Sequence, residues 1–143
     1  MTGYTTAFRI TGAAVKAILD RVHDQATAEG RRVYVAVVNH TGQLVGLLAH
    51  DLTPPICRQI AEDKAYTAFA TRAKTSAWKD FVYSAPIEER ELMLSRPLRY
   101  NAAAGGSPIL IEGEIAGGVG VSGASQEADQ LLADLGARIP LEL

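Results

Sequence analysis

The sequence predicts an α+β domain, an antiparallel β-sheet flanked by α-helices. Three observations lead there. Two strand–turn–strand patterns stand far apart, over residues 33–49 and 105–123. Segments with apolar residues at helical spacing lie before, between and after them. Sheet and helix therefore occupy separate blocks instead of alternating, which favours antiparallel pairing over a parallel βαβ array. At 143 residues the chain reads as one domain, 1–143, large enough to bury a core.

The first helix begins at Thr11, a good N-cap, and carries Val15, Ile18, Leu19, Val22 and Ala26 on one side, with Gly30 as its stop. The β-branched run from Val33 to Val38 follows as a buried strand. Asn39-His40-Thr41-Gly42 turns the chain, and residues 43–49 return as its partner. Pro54-Pro55 then starts a helix over 56–73, with Ile56, Ile60, Ala61, Ala65, Ala68 and Phe69 on one alanine-rich side. Its Glu62-Asp63-Lys64 reads either as a solvated face or as part of a site. Thr75 or Ser76 caps a short helix through Trp78, Phe81 and Val82, and Pro86 begins another that Pro97 ends. In the second hairpin Glu112-Gly113-Glu114 is the tight turn, while Gly117, Gly118 and Gly120 mark a bulge or the close approach of another backbone or a ligand. Ser125 caps a last helix holding Leu131, Leu132 and Leu135, with Gly136 expected to end it.

Composition excludes several classes. A net charge of −2 gives no electrostatic reason to expect nucleic acid or an anionic membrane as partner. Aromatic residues make up 6%, too sparse for base stacking unless they cluster. No window approaches the roughly 18 to 20 apolar residues of a membrane span, and no basic-then-apolar start marks a targeting segment. With one cysteine, Cys57, the chain has no internal disulfide, and a reducing compartment, the cytoplasm, is expected.

Motif chemistry is equally sparse. The glycine run at 117–123 has neither the Lys-Ser/Thr ending of a phosphate loop nor the strand-then-helix setting of a dinucleotide fingerprint. The three histidines, His23, His40 and His50, are scattered. What remains is a cluster: His50-Asp51 after a strand, Asp63, Lys64, Tyr66 and Thr67 on the next helix, and Gly105-Gly106 after a loop bearing Arg96, Arg99 and Tyr100. Brought together, these offer cationic donors, a carboxylate and backbone amides around a pocket suited to a small anionic molecule.

Four pieces of sequence, in order, resemble the GlcG/HbpS family of haem-binding or small-molecule-binding proteins, also found as the C-terminal domain of PduO proteins. They are Val35-Ala36-Val37-Val38 with Gly42 and Leu44-Val45; Asp63-Lys64-Ala65-Tyr66-Thr67-Ala68; Gly105-Gly106-Ser107-Pro108-Ile109; and Gly113 with Gly117-Gly118-Val119-Gly120-Val121-Ser122-Gly123. The resemblance implies a profilin-like fold, assembly into homo-oligomers, and a pocket at or near a subunit interface. It implies haem as a possible cofactor, with Thr67 matching the threonine that approaches the iron in haem-binding members. Asn39-His40-Thr41-Gly42, Ala49-His50-Asp51 and Arg99-Tyr100-Asn101 depart from the family pattern and add polar groups, which suits a small polar ligand.

Two functions are thus expected ahead of a third, a structural or accessory subunit with a vestigial pocket. One is a binding protein that holds haem or a small anionic metabolite through Asp63, Lys64, Thr67, Arg99, Gly105 and Gly106. The other is an isomerase, hydratase or lyase of a catabolic pathway, acting on a small carboxylate or enol, with His50, Asp51, Lys64 and Tyr66 as its acid/base set.

Overall fold

A computed structural model describes residues 1–95 and 99–143. The expected Arg96 and the helix-ending Pro97 lie outside the described residues. In chain order the elements are α1 (Gly12–Ala28), β1 (Tyr34–Val38), β2 (Leu44–Ala49), α2 (Ile56–Thr71), α3 (Thr75–Ser84), α4 (Ile87–Leu94), β3 (Gly106–Ile111), β4 (Glu114–Ser122) and α5 (Gln126–Arg138). A short 3-10 turn, Ile139–Leu141, follows. Among the described residues the strands form one antiparallel sheet in the order β2-β1-β4-β3, so the two hairpins meet through β1 and β4. The predicted fold class is the observed one.

Local chemistry sets the boundaries. Thr11 caps α1 by accepting the Ala14 amide at 3.1 Å, and Ser125 caps α5 in the same way through Ala128. Gly30, just past α1, and Gly42, in the first turn, take positive φ. In the second hairpin Glu112 and Gly113 both have positive φ, as a two-residue type I′ turn requires.

The sheet alternation sorts the core into two clusters. Val35, Val37, Val119 and Val121 pack with Ile18, Val22, Leu132 and Ala133 of α1 and α5. On the opposite face Ala36 and Val38 pack with Ala61 and Ala65 of α2. Gly118 and Gly120 of β4 allow this second contact. A Cβ at either would collide with the carbonyl oxygen of Ala65 or Ala61, so the α2 backbone lies directly on the strand.

Three expectations change. Gly136 does not end α5, which runs on to Arg138. A Cβ there would come within 3.0–3.2 Å of Val22, Val119 and Ile18, so this glycine is where α5 crosses α1 and the sheet. On α2 it is Cys57 that turns inward, while Ile56 is exposed. Lys74, not Thr75 or Ser76, is the N-cap of α3; Thr75 is buried and its hydroxyl is used elsewhere.

Candidate functional site

Because α2 rests on β4 through glycines, its next side chain along the same flank reaches past the sheet end. That side chain is Lys64, 2% exposed. Its Nζ donates to the Val121 carbonyl at 3.0 Å and to Asp129 Oδ2 of α5 at 3.2 Å. Asp129 Oδ1 in turn accepts the Ala124 amide at 3.0 Å. Burial pulls the Lys64 ammonium below its usual pKa, with Asp129 working against that. Burial likewise pushes the Asp129 carboxyl up, with Lys64 and the Ala124 amide opposing. Both groups are therefore held toward their neutral forms by the low-dielectric interior. The solvated-face reading of Glu62-Asp63-Lys64 is thus corrected for Lys64.

Gly105 and Gly106 complete this packing. The Gly105 amide donates to Gln130 Oε1 at 2.9 Å and the Gly106 amide to Thr75 Oγ1 at 2.7 Å. Gln130 Nε2 returns a bond to the Gly106 carbonyl at 2.8 Å. A Cβ at Gly105 would sit 2.7 Å from Lys64 Nζ, and one at Gly106 would strike the Lys64 carbonyl. The double glycine faces protein, with both amides engaged.

A second group lies one turn further along α2. Thr67 is fully buried. Its hydroxyl donates to the Arg99 carbonyl and accepts the Asn101 amide, each at 2.9 Å. Arg99 carries its guanidinium 4.1 Å above the Tyr66 ring, and its Nη2 donates to the Gly42 carbonyl at 3.4 Å and to Glu62 Oε1 at 3.5 Å. Asp63 points away, accepting from Gln59 at 2.8 Å on the exposed side of α2.

Tyr100, next along, makes an edge contact with Tyr66 and approaches Trp78 of α3, the chain's one tryptophan, at 6.5 Å between centroids. Among the described residues three adjoining cavities each border Trp78, Tyr100 or both. One of about 210 Å³ lies between Thr71, Trp78, Met93 and Tyr100. A second, about 360 Å³, is apolar and runs along Ala77, Trp78 and Phe81. The third, about 310 Å³, has Tyr100, Asn101 and Lys79 on its walls. Lys79 donates to the neutral Gln126 at 3.0 Å and has no acidic partner among the described residues.

His50 and Asp51 lie elsewhere. The His50 ring stacks on His23 of α1 with centroids 3.7 Å apart. Its Nδ1 accepts the Val33 amide at 3.1 Å and its Nε2 meets Thr27 Oγ1 at 2.8 Å. Since the Thr27 proton goes to the His23 carbonyl, His50 Nε2 carries hydrogen and donates. His50 and Asp51 share a cavity of about 400 Å³ with His23 and Arg32. The structure therefore brings Lys64 to Gly105-Gly106 and Thr67 to Arg99, but does not bring His50 and Asp51 to Lys64 and Tyr66. The reason is geometric: Lys64 and Tyr66 extend from the helix on one face of the sheet, and His50 turns toward α1 on the other.

Asp129, Gln130 and Thr75 were missed from sequence. A signal existed for Asp129, which precedes Leu132 and Ala133 by three and four positions and so sits on the buried stripe of α5. A polar residue on that stripe needs a buried partner.

Fold and site define a class: a three-layer α+β domain with a four-stranded antiparallel sheet, a buried Lys–Asp lock, and an aromatic cleft beside α3. The family model described as "Haem degrading protein HbpS-like" matches residues 10–138, and the chain belongs to that family. It is similar to Protein GlcG of Escherichia coli K12, 31% identical over 106 residues, covering 74% of this chain and 75% of GlcG. The crystal structure of HbpS superposes with a TM-score of 0.84 at 30% identity, covering 96% of this chain and 94% of HbpS. A complex of PduOC with haem shares the fold, with a TM-score of 0.82 at 22% identity over 92% of this chain and 95% of PduOC.

Proposed function

We propose that this protein binds a small, flat, conjugated molecule bearing an anionic group, in the cleft floored by Trp78 and Tyr100. The observation that carries this is the cavity bordered by both rings, with a neighbouring cavity along Trp78 on one side and another along Tyr100, walled by Lys79, on the other. Aromatic floors favour planar ligands through stacking, and an ammonium without a carboxylate partner favours an anionic substituent. Haem, named in the family description, is flat and carries carboxylates, which makes it the first ligand to try. Iron ligation through Thr67 does not fit: that hydroxyl is fully buried, donates to one backbone group and accepts from another. The enzyme reading is less well supported, since among the described residues His50 and Asp51 line a different cavity from that bordered by Tyr100.

The α3–α4 surface exposes Phe81, Tyr83, Ile87, Leu92 and Leu94, and Phe81 also lines the cleft. A patch of this kind supports a homo-oligomer whose contact lies beside the pocket; solution mass tests it. No helix of the described residues is long and apolar enough to cross a membrane, and a cytoplasmic location stays part of the proposal.

Trp78 makes the ligand test direct, because its fluorescence reports the cleft. Haemin, followed by planar aromatic carboxylates, should quench it saturably. Tyr100→Ala should weaken the effect about tenfold, the order of an aromatic stacking contact. Absence of saturable quenching by any of these up to millimolar concentration overturns the assignment.

A further inference from the structure

We infer that Thr67 is a positioning residue: it holds the strand of loop that carries Arg99 and Tyr100, and in that way sets the shape of the ligand cleft. The inference rests on the cleft reading above and assigns to Thr67 a role other than approach to an iron.

One hydroxyl grips the chain on both sides of Tyr100. Its proton goes to the Arg99 carbonyl and its lone pair takes the Asn101 amide, each at 2.9 Å. Donor and acceptor are thus used on two backbone groups, a geometry serine can reproduce and valine cannot. Arg99 between α4 and this grip has a φ of +51°, a left-handed conformation that non-glycine residues rarely adopt without being held. The conformation plants its guanidinium over Tyr66 and turns the Tyr100 ring toward Tyr66 and Trp78.

Beyond Asn101 side chains continue to hold the loop, until at Gly105 and Gly106 the β3–β4 ladder joins them, with the Val121 amide donating to the Gly105 carbonyl at 2.8 Å. Asn101 Oδ1 accepts the Ala103 amide at 2.8 Å, and Gln126 Oε1 accepts the Ala104 amide at 3.1 Å. From there Gln130 and Thr75 take over at the two glycines. Residues 99–106 thus form a strap tied at intervals to α2, α3 and α5. Thr67 is the tie next to the ligand-facing ring. Its own backbone carbonyl accepts from Thr71 Oγ1 at 2.7 Å, and Thr71 also lines the cleft, so the grip and the cleft wall share one turn of helix.

The test compares Thr67→Val with Thr67→Ser. In ligand-free protein, amide exchange at Asn101 should rise about tenfold in Thr67→Val, the order expected when one buried hydrogen bond is lost. Trp78 emission should shift in the same variant as Tyr100 is released. Haemin affinity read by Trp78 quenching should fall in parallel, while the Soret position of the haemin that still binds stays that of the wild type. Thr67→Ser should restore all three. Unchanged Asn101 exchange in Thr67→Val overturns the inference. A displaced Soret band that serine restores, with Asn101 protection intact, overturns it in favour of direct iron contact. If wild-type protein binds no haemin, the haem arm of the cleft reading fails, and the exchange and emission measurements still decide the role of Thr67.

Discussion

Residues 99–106 have two ends, and they behave in opposite ways. At Gly105-Gly106 the chain is surrounded by protein: Val121, Lys64, Asp129 and Thr75 occupy the space a side chain would take, and Gln130 and Thr75 hold the two amides. At Tyr100 and Asn101 the same loop borders cavities. The glycines looked like the ligand-facing backbone because open amides and missing side chains leave room. Here the room is filled by a lysine that crosses from one helix layer to the other. Glycine in a loop marks close approach, and the approaching group can as well be protein as ligand.

The sharpest way to break this contrast is at the buried end. Asp129→Ala should destabilise the fold by about 3–5 kcal/mol, because it leaves the Lys64 ammonium without its counter-charge in the interior. Lys64→Met combined with Asp129→Leu should recover part of that loss, since it removes both buried charges but leaves the Val121 carbonyl and the Ala124 amide without their side-chain partners. Urea unfolding of the three proteins decides it, and equal midpoints for wild type and Asp129→Ala would remove the lock from the account.

The next contrast is steric. Gly106→Ala directs a methyl at the Lys64 carbonyl and at Thr75 Cγ2, and should cost about 1–3 kcal/mol as an overpacked core position does. Ala102→Ser, on the cavity side of the same loop, should stay within about 0.5 kcal/mol of wild type. Thermal or chemical denaturation of the two variants compares both ends directly.

The smallest effect is a pH dependence. Asp129 has a folded pKa raised above its reference of 3.8. Between those two values the folded chain binds a proton that the unfolded chain does not, so stability falls as pH rises through this window. Equivalently, the contribution is fully present below 3.8 and is lost through the folded pKa. Relative to Asp129→Asn, which does not titrate, wild type should therefore gain stability on acidification toward 3.8. A gain in the opposite direction would mean that the ion pair, not burial, dominates the carboxyl.

Much of the architecture was legible. Thr11 and Ser125 announced their helices, the Glu112-Gly113 turn its hairpin, and Gly118 with Gly120 the close approach of a helix. Local chemistry decides such features, and local chemistry is written in adjacent residues. The site was less legible. Lys64 sits among Glu62 and Asp63, and nothing adjacent tells that it alone of the three turns inward to a residue 65 positions away. His50-Asp51 looked like an acid/base pair, but His50 is committed to Val33, Thr27 and the ring of His23. Trp78 and Tyr100 were visible as single residues, and their meeting depends on how α3 packs against the loop.

The glycine contact between α2 and β4 also has a mechanical consequence. With the Ala61 and Ala65 carbonyls seated against Gly120 and Gly118, rolling or sliding α2 would force helix backbone into strand backbone. The helix that carries Tyr66, Thr67 and Thr71 is a fixed datum. By contrast α3 buries only Thr75 and Val82. In the proposed cleft any adjustment to the thickness of a ligand would therefore fall on α3, which is held mainly by polar ties through Lys74, Thr75, Ser76 and Lys79, and not on α2.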